Sequence, residues 1–180
     1  MAECGLDRFV QRVRRCWGPL SSPVVCECRE ALAALARTSC AEPWLAALKA
    51  SRPLGEELYR DADHGFVLLA HTEPAGLYRP PHDHGRAWVV YAIQQGEIEM
   101  RTFARVAGDD GAVKLVQRDS TVLRAGQALA YLPGDIHDTR CLSETALLFR
   151  FTERDLRIED RVEHRLSRYP EPDDAWEQVP

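Results

Sequence analysis

Residues 80–97, Pro-Pro-His-Asp-His-Gly-Arg-Ala-Trp-Val-Val-Tyr-Ala-Ile-Gln-Gln-Gly-Glu, restrict the possible folds more than any other stretch of the chain. The two prolines hold the backbone extended. Alternate side chains of an extended chain share a face, so His82 and His84 project together. The apolar run that follows ends at Gln95-Gly96, a hairpin signal leading into a second strand over 97–104. About forty residues further on, Leu132-Pro133-Gly134-Asp135-Ile136-His137 forms another turn that delivers one histidine onto a new strand. A His-x-His pair and a distant, turn-borne histidine suit one metal ion approached from three sides, and neutral imidazoles are common ligands of Fe, Zn, Ni and Cu.

The rest of the chain reads as helices first and strands afterwards. Apolar residues at 6, 9, 10, 13 and 17, with Arg12, Arg14 and Arg15 between them, have helical spacing. Gly18-Pro19 closes that helix, and Ser21-Ser22-Pro23 reads as a linker. A second helix covers 26–38, and Pro43 opens a third over 44–50. These helices are expected on the outside of a barrel or at a subunit contact. From residue 54 onward the strand pattern takes over. A turn at 61–65 precedes the nearly continuous apolar run 66–72, typical of a strand covered on both faces. Gly108-Asp109-Asp110-Gly111 is a hairpin signal. Short strands follow at 113–117, 121–123, 128–132, 138–142 and 145–152. About ten short strands separated by turn residues imply a mainly β fold, a sandwich or small barrel. The organisation expected is a helical segment over 1–53, a barrel over 54–160 and a charged tail over 161–180, loose or laid across a neighbour.

Composition excludes several classes of function. The net charge of −5 and the lack of any basic run argue against a nucleic-acid partner. No apolar stretch approaches the ~20 residues of a membrane span. The first five residues lack the basic-then-apolar order of a signal peptide, so a cytoplasmic location is expected. Four of the six cysteines fall at 16, 26, 28 and 40. The Cys26-x-Cys28 spacer is tighter than that of structural zinc sites, so reduced thiols are expected rather than a second metal.

Gly76-x5-His82-x-His84 and Gly126…Pro133-Gly134-x2-His137 resemble the two motifs of the cupin superfamily. The resemblance covers residues 54–156 and implies a cupin-type double-stranded β-helix, a small β-barrel, here preceded by two or three helices. Most cupins carry a glutamate ligand about five residues after the second histidine; Val89 stands there in this chain. Three histidines without a carboxylate resemble the thiol dioxygenases, cysteine dioxygenase and its relatives, which hold Fe(II). The resemblance therefore implies His82, His84 and His137 as metal ligands. It turns Val89, Tyr91 and Ile93 inward, with Trp88 and Val90 packed outside. Tyr91 is then either a proton donor to a metal-bound ligand or a core tyrosine.

A count back from His82 without gaps places His71 and Glu73 where thiol dioxygenases line their pocket. It places Glu56 where they carry the arginine that binds the substrate carboxylate. Their Ser-x-His-x-Tyr relay falls on Leu148, Arg150 and Thr152, so the relay is absent. Arg150 interrupts an apolar strand and needs a partner, since burying an unpaired charge is expensive; Glu56, Glu73 or an anionic substrate would serve, and otherwise the strand is an edge and Arg150 meets water. The function implied is that of a mononuclear non-haem iron(II) oxygenase, acting on a small organic molecule, a thiol among the candidates, with O2. Cysteine itself fits poorly without the arginine and the relay. A non-redox cupin using Zn, Ni or Mn as an isomerase or hydrolase, and a ligand-binding cupin without turnover, are the alternatives. The oligomeric state expected is a monomer or homodimer.

Overall fold

The structure, a computed structural model, describes residues 4–107 and 113–170. Three helices open the chain: α1 (Gly5–Cys16), α2 (Ser22–Ala36) and α3 (Pro43–Ser51). Nine strands follow: β1 (Glu56–Arg60), β2 (Val67–Pro74), β3 (Tyr78–His82), β4 (Val89–Gln95), β5 (Glu97–Ala107), β6 (Val113–Arg124), β7 (Ala128–Tyr131), β8 (Ile136–Cys141) and β9 (Thr145–Thr152). They form a five-stranded sheet, β1-β2-β9-β4-β7, and a four-stranded sheet, β3-β8-β5-β6. All of the strand pairings are antiparallel. Leaving β1 aside, the orders 2-9-4-7 and 3-8-5-6 are those of a jelly roll, the double-stranded β-helix that cupins share. The fold is mainly β and cupin-type, as the sequence implies.

The five-stranded sheet is buried on both faces. One face packs Val89, Tyr91, Ile93 and Leu148 against Ile98, Met100 and Leu123 of the other sheet. The other packs Leu68, Val90, Phe149 and Phe151 under Phe9, Val13, Leu32 and Leu45 of the helices. Coverage from both sides is why β2, β4 and β9 read as continuous apolar runs rather than alternating ones. It also places Trp88 and Val90 beneath the helices, on the side opposite Val89 and Tyr91.

Several expectations are revised. The second helix starts at Ser22, and the supposed linker proline lies in its first turn, where its missing N–H costs nothing. The two short strands expected at 113–117 and 121–123 are one strand, β6, on the open edge of the four-stranded sheet. In β6, Asp119 pairs with Thr102 but Gln117 pairs with Phe103, so Arg118 is an extra residue, a β-bulge. The Gly108–Gly111 hairpin lies outside the described residues, although Ala107 and Val113 on either side of it are paired.

Residues 161–170 are not a loose tail. After a π-helical turn, Ile158–Val162, the chain runs back along the histidine stretch. Asp83 N–H donates to Ser167 O (3.1 Å) and Tyr169 N–H to Pro81 O (2.8 Å). Several of the charges along this return are paired: Glu159, fully buried, accepts from Arg165 (2.9 Å) and from the Arg86 N–H (3.1 Å). Burial works against ionisation of Glu159, but Arg165 and the Arg86 N–H outweigh it and hold the carboxyl below its usual range. Gly85, at φ +63°, makes this approach possible, since a Cβ there would meet Glu159 Oε2 at 2.6 Å. The strap lies across its own barrel. Residues 171–180 are outside the described part.

Candidate metal centre

His82 ends β3, His84 sits just beyond it in the turn, and His137 is the second residue of β8. Register brings them together, because His82 lies directly opposite His137 across the β3–β8 pair. The ring centroids are 4.7 to 5.2 Å apart, and one ligand nitrogen from each lies within 4.8 Å of the others. This is the one group of three such side chains among the described residues.

The surroundings prepare the three imidazoles to bind an ion. His82 Nδ1 donates to Pro80 O (2.8 Å), which fixes the tautomer and leaves Nε2 with its lone pair. His84 Nδ1 and both nitrogens of His137 are buried without a partner. An orphaned buried polar atom carries a desolvation cost, and a metal ion would remove it. Burial, assisted by the neighbouring imidazoles and by Arg150, holds the imidazoles of His84 and His137 well below their usual range. They are neutral at pH 7, as a ligand must be. Tyr131 stacks on His137 with centroids 3.8 Å apart and sets its ring plane. The donor set fits a divalent metal. Val89, where most cupins carry a carboxylate ligand, is fully buried in the core between the sheets.

A cavity of about 600 Å³ opens beside the three histidines. His71, Glu73, Tyr91, Leu148 and Arg150 all line it. Tyr91 hydrogen-bonds through its hydroxyl to His84 Nε2 (3.2 Å), and burial pushes its phenol up. Glu73 accepts from Arg79 (2.7 Å). Thr152, the third relay position, instead hydrogen-bonds Val67 O.

Glu56 does not belong to the site. It pairs with Ala70, whose side chain packs under the helices, so Glu56 shares that outward face, and it is exposed. His71, one residue later, points the other way, into the cavity. Of the partners open to Arg150, neither glutamate pairs with it among the described residues: Glu73 is taken by Arg79, and Glu56 faces away. Arg150 lies opposite Leu69 on one side and Tyr91 on the other, and its Nε is buried without a hydrogen-bond partner. Among the described residues it makes no ion pair.

Sequence reasoning missed Tyr131, Arg79 and the strap residues Asp160, Arg161 and Arg168, all near the histidines or lining the cavity. Tyr131 was within reach: it lies opposite Val89 in the β4–β7 pair and so shares its inward face. The strap gave no local signal. Cys26 is exposed and Cys28 buried, and Cys28 Sγ lies 3.9 Å from Cys16 Sγ as a reduced thiol pair.

His71 donates from Nδ1 to Leu54 O (3.0 Å), while its Nε2 is buried without a partner. Burial and the charge of Arg150 lower its pKa to about 4. The unfolded chain, near the ordinary 6.5, binds more protons between these values. Stability from His71 is thus complete above pH ~6.5 and is lost as pH falls toward 4, by at most about 3 kcal/mol. Urea titrations between these pH values should show the decline, and His71→Gln should make it shallower, the remainder coming from the other buried imidazoles. An unchanged slope in the variant would refute the assignment.

No family model matches the sequence, and no curated protein matches it. Among solved structures, the Cnp3 cupin domain of Schizosaccharomyces pombe matches at 14% identity and TM-score 0.44, over 61% of this chain and 69% of its own. An uncharacterized conserved protein with a double-stranded β-helix domain from Klebsiella pneumoniae matches at 19% and 0.41, over 56% and 71%. An oxalate oxidase bound to the substrate analogue glycolate matches at 23% and 0.40, over 50% of this chain and 42% of that one. The chain thus spans less than half of the oxalate oxidase. No helix of the described residues is long and apolar enough to cross a membrane. The strand order of the chain is that of a double-stranded β-helix, and that barrel carries the three-histidine group.

Proposed function

We propose that this protein is a mononuclear iron(II) cupin oxygenase that oxidises a small anionic organic substrate with O2. The observation that carries this reading is Arg150, a cation without a protein counter-ion among the described residues, in the cavity lined by His82 and His84 and beside a trio in which His84 Nδ1 and both nitrogens of His137 are buried without a partner. Iron(II) on His82, His84 and His137 would supply O2 activation and coordinate an anionic donor such as a thiolate or enolate.

The chain's own residues do the rest. Arg150, with five donors in a fixed fork, binds and orients the substrate's acidic group. Tyr91, whose phenol stays protonated, offers its hydrogen at the metal side of the cavity. Glu73 fixes Arg79 in the wall. The strap closes one side, and with Leu77, Leu148, Leu156 and Leu166 it limits the water that reaches the substrate.

Replacing Arg150 by Met keeps much of the stem volume and removes the charge. Metal content should be unchanged, while substrate-dependent O2 uptake, measured with a panel of thiols and diketones, should fall at least about tenfold, or ~1.4 kcal/mol. Unchanged uptake and unchanged stability would show that Arg150 does not meet the substrate. Stoichiometric zinc and no O2 uptake with any member of the panel would favour Lewis-acid chemistry instead, for which three-histidine sites are equally suited.

A further inference from the structure

The charge on the cavity wall is out of keeping with the chain. The protein carries a net −5, yet the lining includes five arginines, 79, 150, 157, 161 and 168, and only two carboxylates, Glu73 and Asp160. Three of the arginines are neutralised by neighbours: Arg79 by Glu73 (2.7 Å), Arg168 by Asp160 (2.8 Å) and Arg157 by Asp155 (2.8 Å). Arg150 and Arg161 make no ion pair among the described residues. They stand on different parts of the wall. Arg150 is on β9, half-buried beside Tyr91, whereas Arg161 is exposed on the π-helical turn of the strap. The same wall carries Leu77, Leu148, Leu156 and Leu166. At about 600 Å³ the cavity is within the range of small-molecule sites and roomy for a ligand carrying one acidic group.

We propose that the cavity selects a dianion, a short aliphatic chain with an acidic group at each end, one held by Arg150 and the other by Arg161. This deepens the reading of an anionic substrate and rests on it. Arg150 meets the end nearer the three histidines in a desolvated setting, where a charge-assisted contact is strong. Arg161 meets the outer end in partial contact with water, so its effect is smaller and sensitive to salt. The leucines cover the methylenes between. A substrate lacking the second acidic group leaves Arg161 solvated and loses only its contribution, so Arg161 acts as a specificity residue.

The test uses the full chain loaded with zinc, which has no redox chemistry with O2, and calorimetric titration with succinate, glutarate and adipate beside butyrate, pentanoate and hexanoate. At one chain length the diacid should bind about tenfold more tightly than the matching monoacid. Arg161→Gln should erase that advantage and leave monoacid binding within about twofold of the wild type. The advantage should also shrink as salt rises to ~0.5 M. Arg150→Met should weaken both classes. If no diacid exceeds its monoacid, or Arg161→Gln weakens both alike, the dianion proposal fails. If monoacids still bind through Arg150 in that event, the anionic-substrate reading survives it. If neither class binds and Arg150→Met changes nothing, both fail together.

Discussion

Replacing any one of His82, His84 and His137 by Ala is expected to leave the purified protein with little bound metal. The ligand atoms lie within 4.8 Å of one another, and there is no fourth metal-binding side chain in the group to take over a vacant position. Changing residues that merely orient a ligand commonly costs 10- to 100-fold in affinity, so the loss of a ligand should exceed about 100-fold. His137 should be the most severe case. It is fully buried, both of its nitrogens are unpartnered, and it sits opposite His82 with Tyr131 holding its ring. Elemental analysis of protein prepared without chelator provides the measurement. Circular dichroism of each variant separates lost metal from lost fold. Three folded variants that each retain stoichiometric metal would refute the centre. The other histidines supply a control: His64 stacks against Phe66 at the helix side of the barrel, so His64→Ala should keep the metal.

The histidine trio was legible in the sequence because its geometry follows from local rules. A proline-extended strand puts His82 at a strand end, a Pro-Gly turn begins the strand of His137, and antiparallel pairing sets the two opposite each other. The inward set Val89, Tyr91 and Ile93 needed the spacing of the resembled family to cross the loop after His84, and alternation only carried it along the strand. What failed were inferences that needed a long-range count or an unseen partner. Glu56 was placed by counting back through the 61–65 turn, but β1 carries a register shift between Glu57 and Tyr59, and a one-residue slip exchanges the two faces. The strap was read as a tail because its residues are charged. Its partners, Asp83 and the backbone of Pro81, lie more than eighty residues earlier, and no local pattern encodes that return. Arg150 is the intermediate case. Its anomaly was visible as a lone charge among apolar neighbours, but its lack of a counter-ion emerges only when Glu73 is seen to bind Arg79.

Exchanging Asp138 for Asn should produce the largest loss of stability of any single change at constant shape. Asp138 follows His137 on β8 and so points to the opposite face of the sheet. There it meets Arg101, directly across the β5–β8 pair, and both side chains are only 2% exposed. Arg101 Nε donates to both carboxylate oxygens at 3.1 Å, Tyr78 donates its hydroxyl at 3.0 Å, and the guanidinium lies over the Phe103 ring. The amide of Asn fills the same space but removes the carboxylate charge that faces the buried Arg101 guanidinium. Breaking one side of such a pair costs about 3–5 kcal/mol, a large share of the roughly 5–15 kcal/mol that holds a domain together. Urea denaturation of the metal-free protein should show this as a lower midpoint at an unchanged slope. Adding Arg101→Met should restore part of the loss, because the double variant no longer buries a guanidinium opposite a neutral amide. The metal site reports separately. Since β8 carries His137, Asp138→Asn should weaken metal binding where local opening of that strand is appreciable, and the double variant should recover it. A cost below about 1 kcal/mol would mean that water reaches the pair and that it behaves as a surface contact; the strand bearing His137 would then owe its position to the core between the sheets alone.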